Sequence, residues 1–443
     1  MFLYLLVFLL LLILIFNFLI VDFDYMHPSV LFVAPFLLFG ITSILAEDAY
    51  EIIFHKETLL VLVTSTLVFT LVTLLSQIFY RAKDQVNISL TEIKVNKGIT
   101  FLFIIFFIIT QLAFIKYLQA ISIAHLGYIT SLSEMISLYD VMTKFWPDTF
   151  RELNVPVPLL YRIGNPITQG FGYLIVYIFI HNYVATKKIN KLYLLIILLL
   201  CINIILNGSR SPIFRILTMM LIMFYILYNK KNNMRKGDFK FLFKSFLVLI
   251  LSGIFFVFLL TLMGRENDLE LFHYIFVYVG APLVNLDNYL AFKPDDSVSS
   301  IFGEQTFRGL YAYIAKWTNN ESLIFPTIDL FTFSNNGIEI GNVYTTFYSF
   351  IYDFGYAGFI PLILIIALYY IFTYQKLKSN NLKLKNVNFS LFIYAYLFND
   401  LIMLAFSNRF YTTISDPSFF KIITFSFICY LLFVPKNKSR TIA

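Results

Sequence analysis

The chain contains only two cysteines in 443 residues. Cys201 and Cys429 each lie inside a long apolar run, where an isolated cysteine behaves as a small hydrophobe, so neither a disulfide framework nor a metal site is expected. Short stretches of alternating apolar and polar residues are also missing, which excludes a transmembrane β-barrel. The N-terminus has no basic n-region and no small-residue cleavage site before Asp22, so segment 1–21 is expected to be a retained helix rather than a cleaved signal. No internal repeat relates the halves of the chain, which counts against a transporter built from repeats. Asp353-Phe354-Gly355 is not read as a kinase element, because no glycine-rich or catalytic loop accompanies it.

Apolar residues fill the space those absences leave. Hydrophobic side chains occupy 59% of positions and the mean hydropathy is +0.78, more than a soluble core requires. Runs of about 18 apolar residues are long enough to cross ~30 Å of hydrocarbon as helices, the solution that satisfies the backbone inside lipid. About eleven such runs are expected: 1–21, 29–46, 58–79, 99–121, 157–185, 191–206, 211–228, 242–263, 355–375, 389–406 and 418–435. The expected fold is an all-α polytopic membrane protein with 1–443 as a single membrane domain.

The formal charge of +7 is mostly a topology signal rather than a sign of nucleic-acid binding. Lysine and arginine concentrate in alternate loops near Arg81, Lys187, Lys230, Lys376 and Lys436, which the positive-inside rule places in the cytoplasm. This puts the C-terminus inside, the N-terminus outside and the long segment 264–340, between the eighth and ninth spans, on the outer face. Within that segment, 271–292 is apolar but interrupted by His273, Pro282 and Asp287, which fits an interfacial or re-entrant helix better than a span. The stretch from Gln305 to Trp317 reads as a second interfacial helix. Segment 122–156 is the other long outer loop.

Lysine and arginine are distributed differently. By this topology 16 of the 23 lysines are cytoplasmic, whereas seven of the ten arginines (Arg151, Arg162, Arg210, Arg215, Arg265, Arg308, Arg409) lie outside or near the outer ends of spans. A guanidinium keeps its charge near lipid and grips phosphate or carboxylate bidentately, so an anionic ligand at the outer leaflet is implied. The plainer alternative is that these side chains snorkel to headgroups or pair with nearby acids such as Glu266 or Asp416. Arg210 and Arg215 resist it, since they flank the turn Asn207-Gly208-Ser209-Arg210-Ser211-Pro212, where a helix N-terminus offers free N–H groups. Arg162 stands beside Gly164, Pro166, Gly170 and Gly172 at the outer end of the fifth span.

Acids and histidines placed on the same side are Glu134, Asp140, Asp287, Glu304, Glu339, Asp353, Asp416, His125 and His273, most of them expected to be solvated loop charges. Asp353 stands out at the mouth of the ninth span, and Asp400 is mid-span in the tenth, a packing contact or part of a relay. Outer aromatics, among them Tyr274, Tyr278, Tyr289, Tyr311, Tyr313, Trp317, Tyr344, Tyr348 and Tyr352, form an interfacial belt or a surface for stacking sugars.

Several local features occur in an order that resembles the Wzy family of polysaccharide repeat-unit polymerases: Asn-Gly-Ser-Arg-Ser-Pro before a span, Gly280-Ala281-Pro282 with Asn285, Gly303, then Gly341-Asn342-Val343-Tyr344-Thr345-Thr346 leading into Asp353-Phe354-Gly355-Tyr356-Ala357-Gly358. They span about residues 200 to 375, and the Arg-x10-Gly spacing of some members is absent. The resemblance implies a GT-C-like, metal- and cofactor-independent glycosyltransferase at the outer face of the bacterial inner membrane, building O-antigen or capsule. Its substrate would be an oligosaccharide on undecaprenyl pyrophosphate, with membrane lipid and a chain-length regulator protein as partners and no nucleic acid. The implied roles are Asp353 and Glu304 as catalytic carboxylates, Arg162, Arg210, Arg215, Arg265, Arg308 and Arg409 on the pyrophosphate, and Tyr311, Trp317, Tyr344 and Tyr348 on the glycan. An O-antigen ligase or an exporter of lipid-linked sugars are the competing readings.

Overall fold

A computed structural model describes residues 1–80, 90–232, 271–292, 298–379 and 386–435. The expected eighth span at 242–263, and Arg265, lie outside the described residues. Everything described is helical apart from loops and one small antiparallel hairpin, β1 (Thr332–Phe333) with β2 (Glu339–Gly341).

Seven helices among the described residues are long and apolar enough to cross a membrane. They are α1 (Phe2–Ile20), α2 (Pro28–Leu45), α4 (Lys56–Phe79), α5 (Lys97–Leu126), α8 (Leu159–Thr186), α10 (Ser211–Asn232) and α14 (Thr346–Lys378); the short α3 is Glu47–Tyr50. Two bent pairs raise the number to nine if each is one span. These are α11 (Leu271–Val279) with α12 (Ala281–Phe292), at 53°, and α16 (Arg409–Ser415) with α17 (Pro417–Phe433), at 64°. The first bend falls on Gly280, inside the segment read as re-entrant or interfacial.

The expected sixth and tenth spans come out short. α9 (Lys191–Leu206) has 16 residues, a rise of about 24 Å against the ~30 Å of a hydrocarbon core. α15 (Phe389–Ile402) has 14 and runs on into a 3-10 turn, Met403–Ala405. The bounds of α9 are those read from the sequence, 191–206, and α15 with its 3-10 turn ends at Ala405, against the expected 406. The loop 122–156 holds α6 (Leu132–Phe145), opened by a capping box between Ser131 and Glu134, and α7 (Pro147–Glu152). The expected interfacial stretch 305–317 folds as α13 (Arg308–Thr318).

Each boundary has a local cause. His27 caps α2 ahead of Pro28, Asn96 caps α5 and Asn190 caps α9, each side chain accepting from an N–H of the first turn. Gly127, at φ +85°, ends α5 in a conformation a side chain would strain. Gly355 inside α14 has φ 66° and ψ −170°, a region essentially restricted to glycine, so α14 kinks just after Asp353.

Membrane character shows in which faces are covered. Along α1 the residues Phe8, Leu11, Leu12, Ile15, Phe16 and Leu19 are exposed, as are Phe101, Leu102, Ile105, Ile108, Ile109 and Leu112 of α5, an arrangement suited to lipid rather than water. α8 is the most enclosed of the long helices and packs against α5, α9, α10 and α17. At Gly170 a Cβ would lie 2.7 Å from Phe425 Cβ and 2.9 Å from the Ser426 backbone N, while the Ser426 hydroxyl donates to the Gly170 carbonyl at 2.7 Å. Gly170→Leu is accordingly expected to separate α8 from α17 and cost about 1–3 kcal/mol of stability, read as a lower melting temperature in detergent. An unchanged melting temperature would contradict this close approach.

The end opposite the site is clasped by Asp24, which accepts from Tyr225 at 2.6 Å and Tyr374 at 2.8 Å and pairs with Lys378, tying the α1–α2 turn to α10 and α14. Burial works against its charge, but Lys378 and His27 outweigh that and hold the carboxyl below the usual carboxylate range. This clasp stands at the ends of α10 and α14 away from Ser211 and Thr346.

Candidate functional site

The site grows from the turn Asn207-Gly208-Ser209-Arg210 between α9 and α10. Tyr161 donates to Asn207 Oδ1 at 2.5 Å and Asn207 Nδ2 to the Asn203 carbonyl at 2.7 Å, fixing the start of the turn. Gly208 sits at φ +70° with Asp140 of α6 against it: a Cβ there would come within 2.6 Å of Asp140 Cβ. The turn therefore requires glycine at this point, for both backbone and space. Asp140 is buried and ion-paired with Lys144, so α6 backs the turn rather than lining an open site.

From this base two arginines project in different ways. Arg210, 8% exposed, donates to the phenol oxygens of Tyr274 and Tyr278 on α11, both at 3.3 Å. Arg215, about one turn further along α10, forks onto Asp400 of α15 at 2.9 and 3.1 Å, donates to Thr413 Oγ1 at 3.2 Å, and lies 4.6 Å from the centre of the Tyr396 ring. Asp400 is fully buried, and the bidentate geometry satisfies both of its oxygens. The acid paired with Arg215 is thus Asp400.

A second group of charges closes on the first from the long outer loop. Arg409 opens α16 within the electrostatic reach of Asp400, Arg215 and Asp329, and its Nε is buried with no hydrogen-bond acceptor among the described residues. Arg308 opens α13 and acts on the same Asp329 carboxyl. Loss of water around Asp329 pushes that carboxyl above its usual range, against the pull of Arg308, Thr327 and Arg409. Its backbone is pinned on both sides, since Tyr348 donates to the Ile328 carbonyl at 2.8 Å and Tyr344 to the Leu330 carbonyl at 3.2 Å. Those two rings stack at 4.0 Å, and Tyr289 of α12 meets Tyr348 edge-on at 4.5 Å. Tyr278 stacks on Phe406 at 6.1 Å, three residues before Arg409, which brings the Arg210 end of the cluster alongside. The result is a run of alternating charge, Arg215, Asp400, Arg409, Asp329, Arg308, at one end of the bundle.

The carboxylates singled out from the sequence hold the loop at its rim. Asp353 accepts the backbone N–H of Gln305 at 3.2 Å and of Thr306 at 2.6 Å, and is 2% exposed. Glu304 lies beside it, close enough to act on its charge, and bonds Tyr352. In this arrangement Asp353 is a positioning residue: it fixes the 303–306 turn, and Asn408 adds a bond to the Thr306 carbonyl at 3.1 Å, linking that turn to Arg409. Asp353→Ala leaves two buried N–H groups without an acceptor and is expected to cost about 1–3 kcal/mol, read as faster amide exchange through 303–307. Protection equal to wild type would refute the pinning role.

The remaining sequence-derived residues divide. Tyr344 and Tyr348 belong to the cluster, with their hydroxyls spent on the loop backbone. Tyr311 donates to the Phe302 carbonyl at 2.6 Å, inside the loop. Trp317 is 78% exposed on α13, and Arg162 is exposed in the first turn of α8. Other outer acids have structural partners: Glu134 in its capping box, Asp287 with His55 at 2.8 Å, Asp416 capping α17. Sequence reasoning missed Asp329 and Asn408, which sit in irregular segments with no periodicity to mark them, and it did not pair Tyr274 and Tyr278 with Arg210.

Chemically, the cluster offers guanidinium groups at graded degrees of neutralisation: Arg215 fully paired, Arg409 with a buried donor to spare, Arg308 at the exposed edge. Such a graded set can take an oxyanion at its outer end while its inner end stays rigid. No protein-family model, no curated protein and no solved structure matches this chain.

Proposed function

We propose that this protein is a membrane glycosyltransferase that polymerises oligosaccharide repeat units carried on undecaprenyl pyrophosphate, in O-antigen or capsule synthesis. The observation that carries the reading is the convergence of Arg215, Arg409 and Arg308 around Asp400 and Asp329 at the end of the bundle opposite the Asp24 clasp. The order of motifs resembling the Wzy polymerases supports it from the sequence. In this reading the chain crosses the bacterial inner membrane about eleven times in a GT-C-like arrangement, with the short α9 and α15 among the spans.

In the proposed reaction an acceptor hydroxyl on the incoming lipid-linked repeat attacks the anomeric carbon of the growing chain. The bond from that carbon to the pyrophosphate oxygen breaks, with its electron pair leaving on undecaprenyl pyrophosphate. Arg409 and Arg308, with Arg210 behind them, stabilise the charge that develops on the leaving group. Asp329, the carboxylate standing among them, or Glu304 at the rim is positioned on the side from which the acceptor proton departs. Tyr311, on the inner side of α13, lies along the route of the glycan, with Tyr344 and Tyr348 supporting the Asp329 segment. A chain-length regulator would meet the protein at this same outer face.

The glycolipid profile of a strain lacking the gene tests this reading. Loss of a polymerase is expected to leave single repeat units on the final acceptor. Long chains retained on the carrier lipid would instead indicate a ligase, and units held on the cytoplasmic face an exporter. Normal long polymer on the final acceptor would end the proposal.

A further inference from the structure

Helix α13 carries two faces of different kinds. Ala315 is buried and Tyr311 turns inward to the Phe302 carbonyl and the ring of Phe325, at 5.1 Å, so this side holds the helix to its own loop. Leu310, Tyr313, Ile314 and Trp317 are 40, 37, 36 and 78% exposed. Their spacing of i, i+3, i+4 and i+7 places them on one stripe about 100° wide. The charged residues of α13 are Arg308 and Lys316, both basic, with no acid in the helix.

Position decides what covers this stripe. A Cβ on Gly309 would lie 3.9 Å from the Ser415 hydroxyl, and Ser415 is the residue before Asp416, which caps the apolar α17. α13 therefore leaves the bundle at the level where α17 begins, and Phe420, 58% exposed in the first turn of α17, continues the apolar surface there. A short helix with an apolar stripe, a tryptophan and a tyrosine on that stripe, and only basic charges, at the end of an apolar helix, has the composition of an interfacial helix.

We infer that α13 lies in the outer-leaflet interface, with Leu310, Tyr313, Ile314 and Trp317 seated among lipid headgroups and upper acyl chains and with Lys316 on headgroup phosphates. This seating holds Arg308, the first residue of the helix, at the depth of lipid phosphates. It stands whether or not the protein transfers sugars, because it follows from the apolar stripe and its place beside α17.

The chain has two tryptophans, Trp146 and Trp317, which makes the test direct. Full-length Trp146→Phe protein is reconstituted in vesicles of phosphatidylethanolamine and phosphatidylglycerol doped with lipids brominated either near the glycerol backbone or near the chain end. The expected result is at least about twofold stronger quenching of Trp317 by the shallow label than by the deep one, with little quenching by aqueous iodide. Ile314→Glu in the same protein is expected to weaken the shallow quenching and admit iodide. Strong iodide quenching with no effect of either brominated lipid would overturn the inference, since the stripe would then face water. Silence to all quenchers would overturn it too, by showing a protein surface over the stripe, a second copy of the chain included. If Trp146→Phe does not fold, the difference between wild type and Trp317→Phe gives the same readout.

Discussion

Arg215→Leu is expected to destabilise the protein by about 3–5 kcal/mol, the usual consequence of stranding one member of a buried ion pair. Asp400 is fully buried and both of its oxygens are held by Arg215, so without the guanidinium a carboxylate remains with only Thr413 and no counter-charge in contact. The double variant Arg215→Leu/Asp400→Leu is expected to recover much of the loss, because it removes the stranded charge along with the pair. Cys429, 3% exposed, makes the measurement simple: a thiol-reactive dye reports unfolding in detergent as this side chain becomes accessible. A single variant that melts like wild type would remove Arg215 from its structural place. A double variant no more stable than the single would show that the arginine contributes packing rather than compensation.

Arg409→Lys should give the largest effect on activity with the smallest effect on the fold. The Nε of Arg409 is buried without an acceptor among the described residues, and lysine keeps the charge while losing the fork. If the guanidinium aligns the leaving pyrophosphate, polymerisation of a lipid-linked repeat by the purified protein in liposomes is expected to fall about 10²–10³-fold, the size of effect seen when one charge-stabilising donor is removed. Arg308→Lys, at the exposed edge, is expected to lose less. Melting temperatures should stay within a few degrees of wild type in both, in contrast to Arg215→Leu. Polymerisation within about threefold of wild type for Arg409→Lys would detach this residue from the chemistry. The comparison of Arg215 with Arg409 therefore separates an arginine that holds the bundle from one that serves the site.

Much of this was legible in the residues themselves. That the chain is helical and apolar, and that the Asn207–Pro212 turn carries arginines at one end of a helix, follows from composition and local preference. Pro417 after Asp416 marks a helix start because proline disfavours a helical residue before it and the aspartate can cap, and α17 begins there. An arginine one turn inside an apolar run, Arg215, stands out as a functional candidate because an unpaired charge is costly there, but the structure pairs it with Asp400. The run at 271–292 showed its break through Pro282 and the charges around it, and α11 and α12 meet at Gly280.

Other features depended on distance through the fold. The partner of Arg215 stands 185 residues later in the chain, a separation across which no periodicity or spacing can point. Asp353, conspicuous at the mouth of a span, is spent on two backbone N–H groups, whereas Asp329, inconspicuous in an irregular loop, stands among the arginines.

What the sequence by itself determined was the helical, apolar character of the long segments, because hydrophobicity acts residue by residue. What only the tertiary structure decided was which charges neutralise one another and which are left for a ligand, because that depends on contacts between α10, α15, α16 and the outer loop, elements that meet only once the helices have packed.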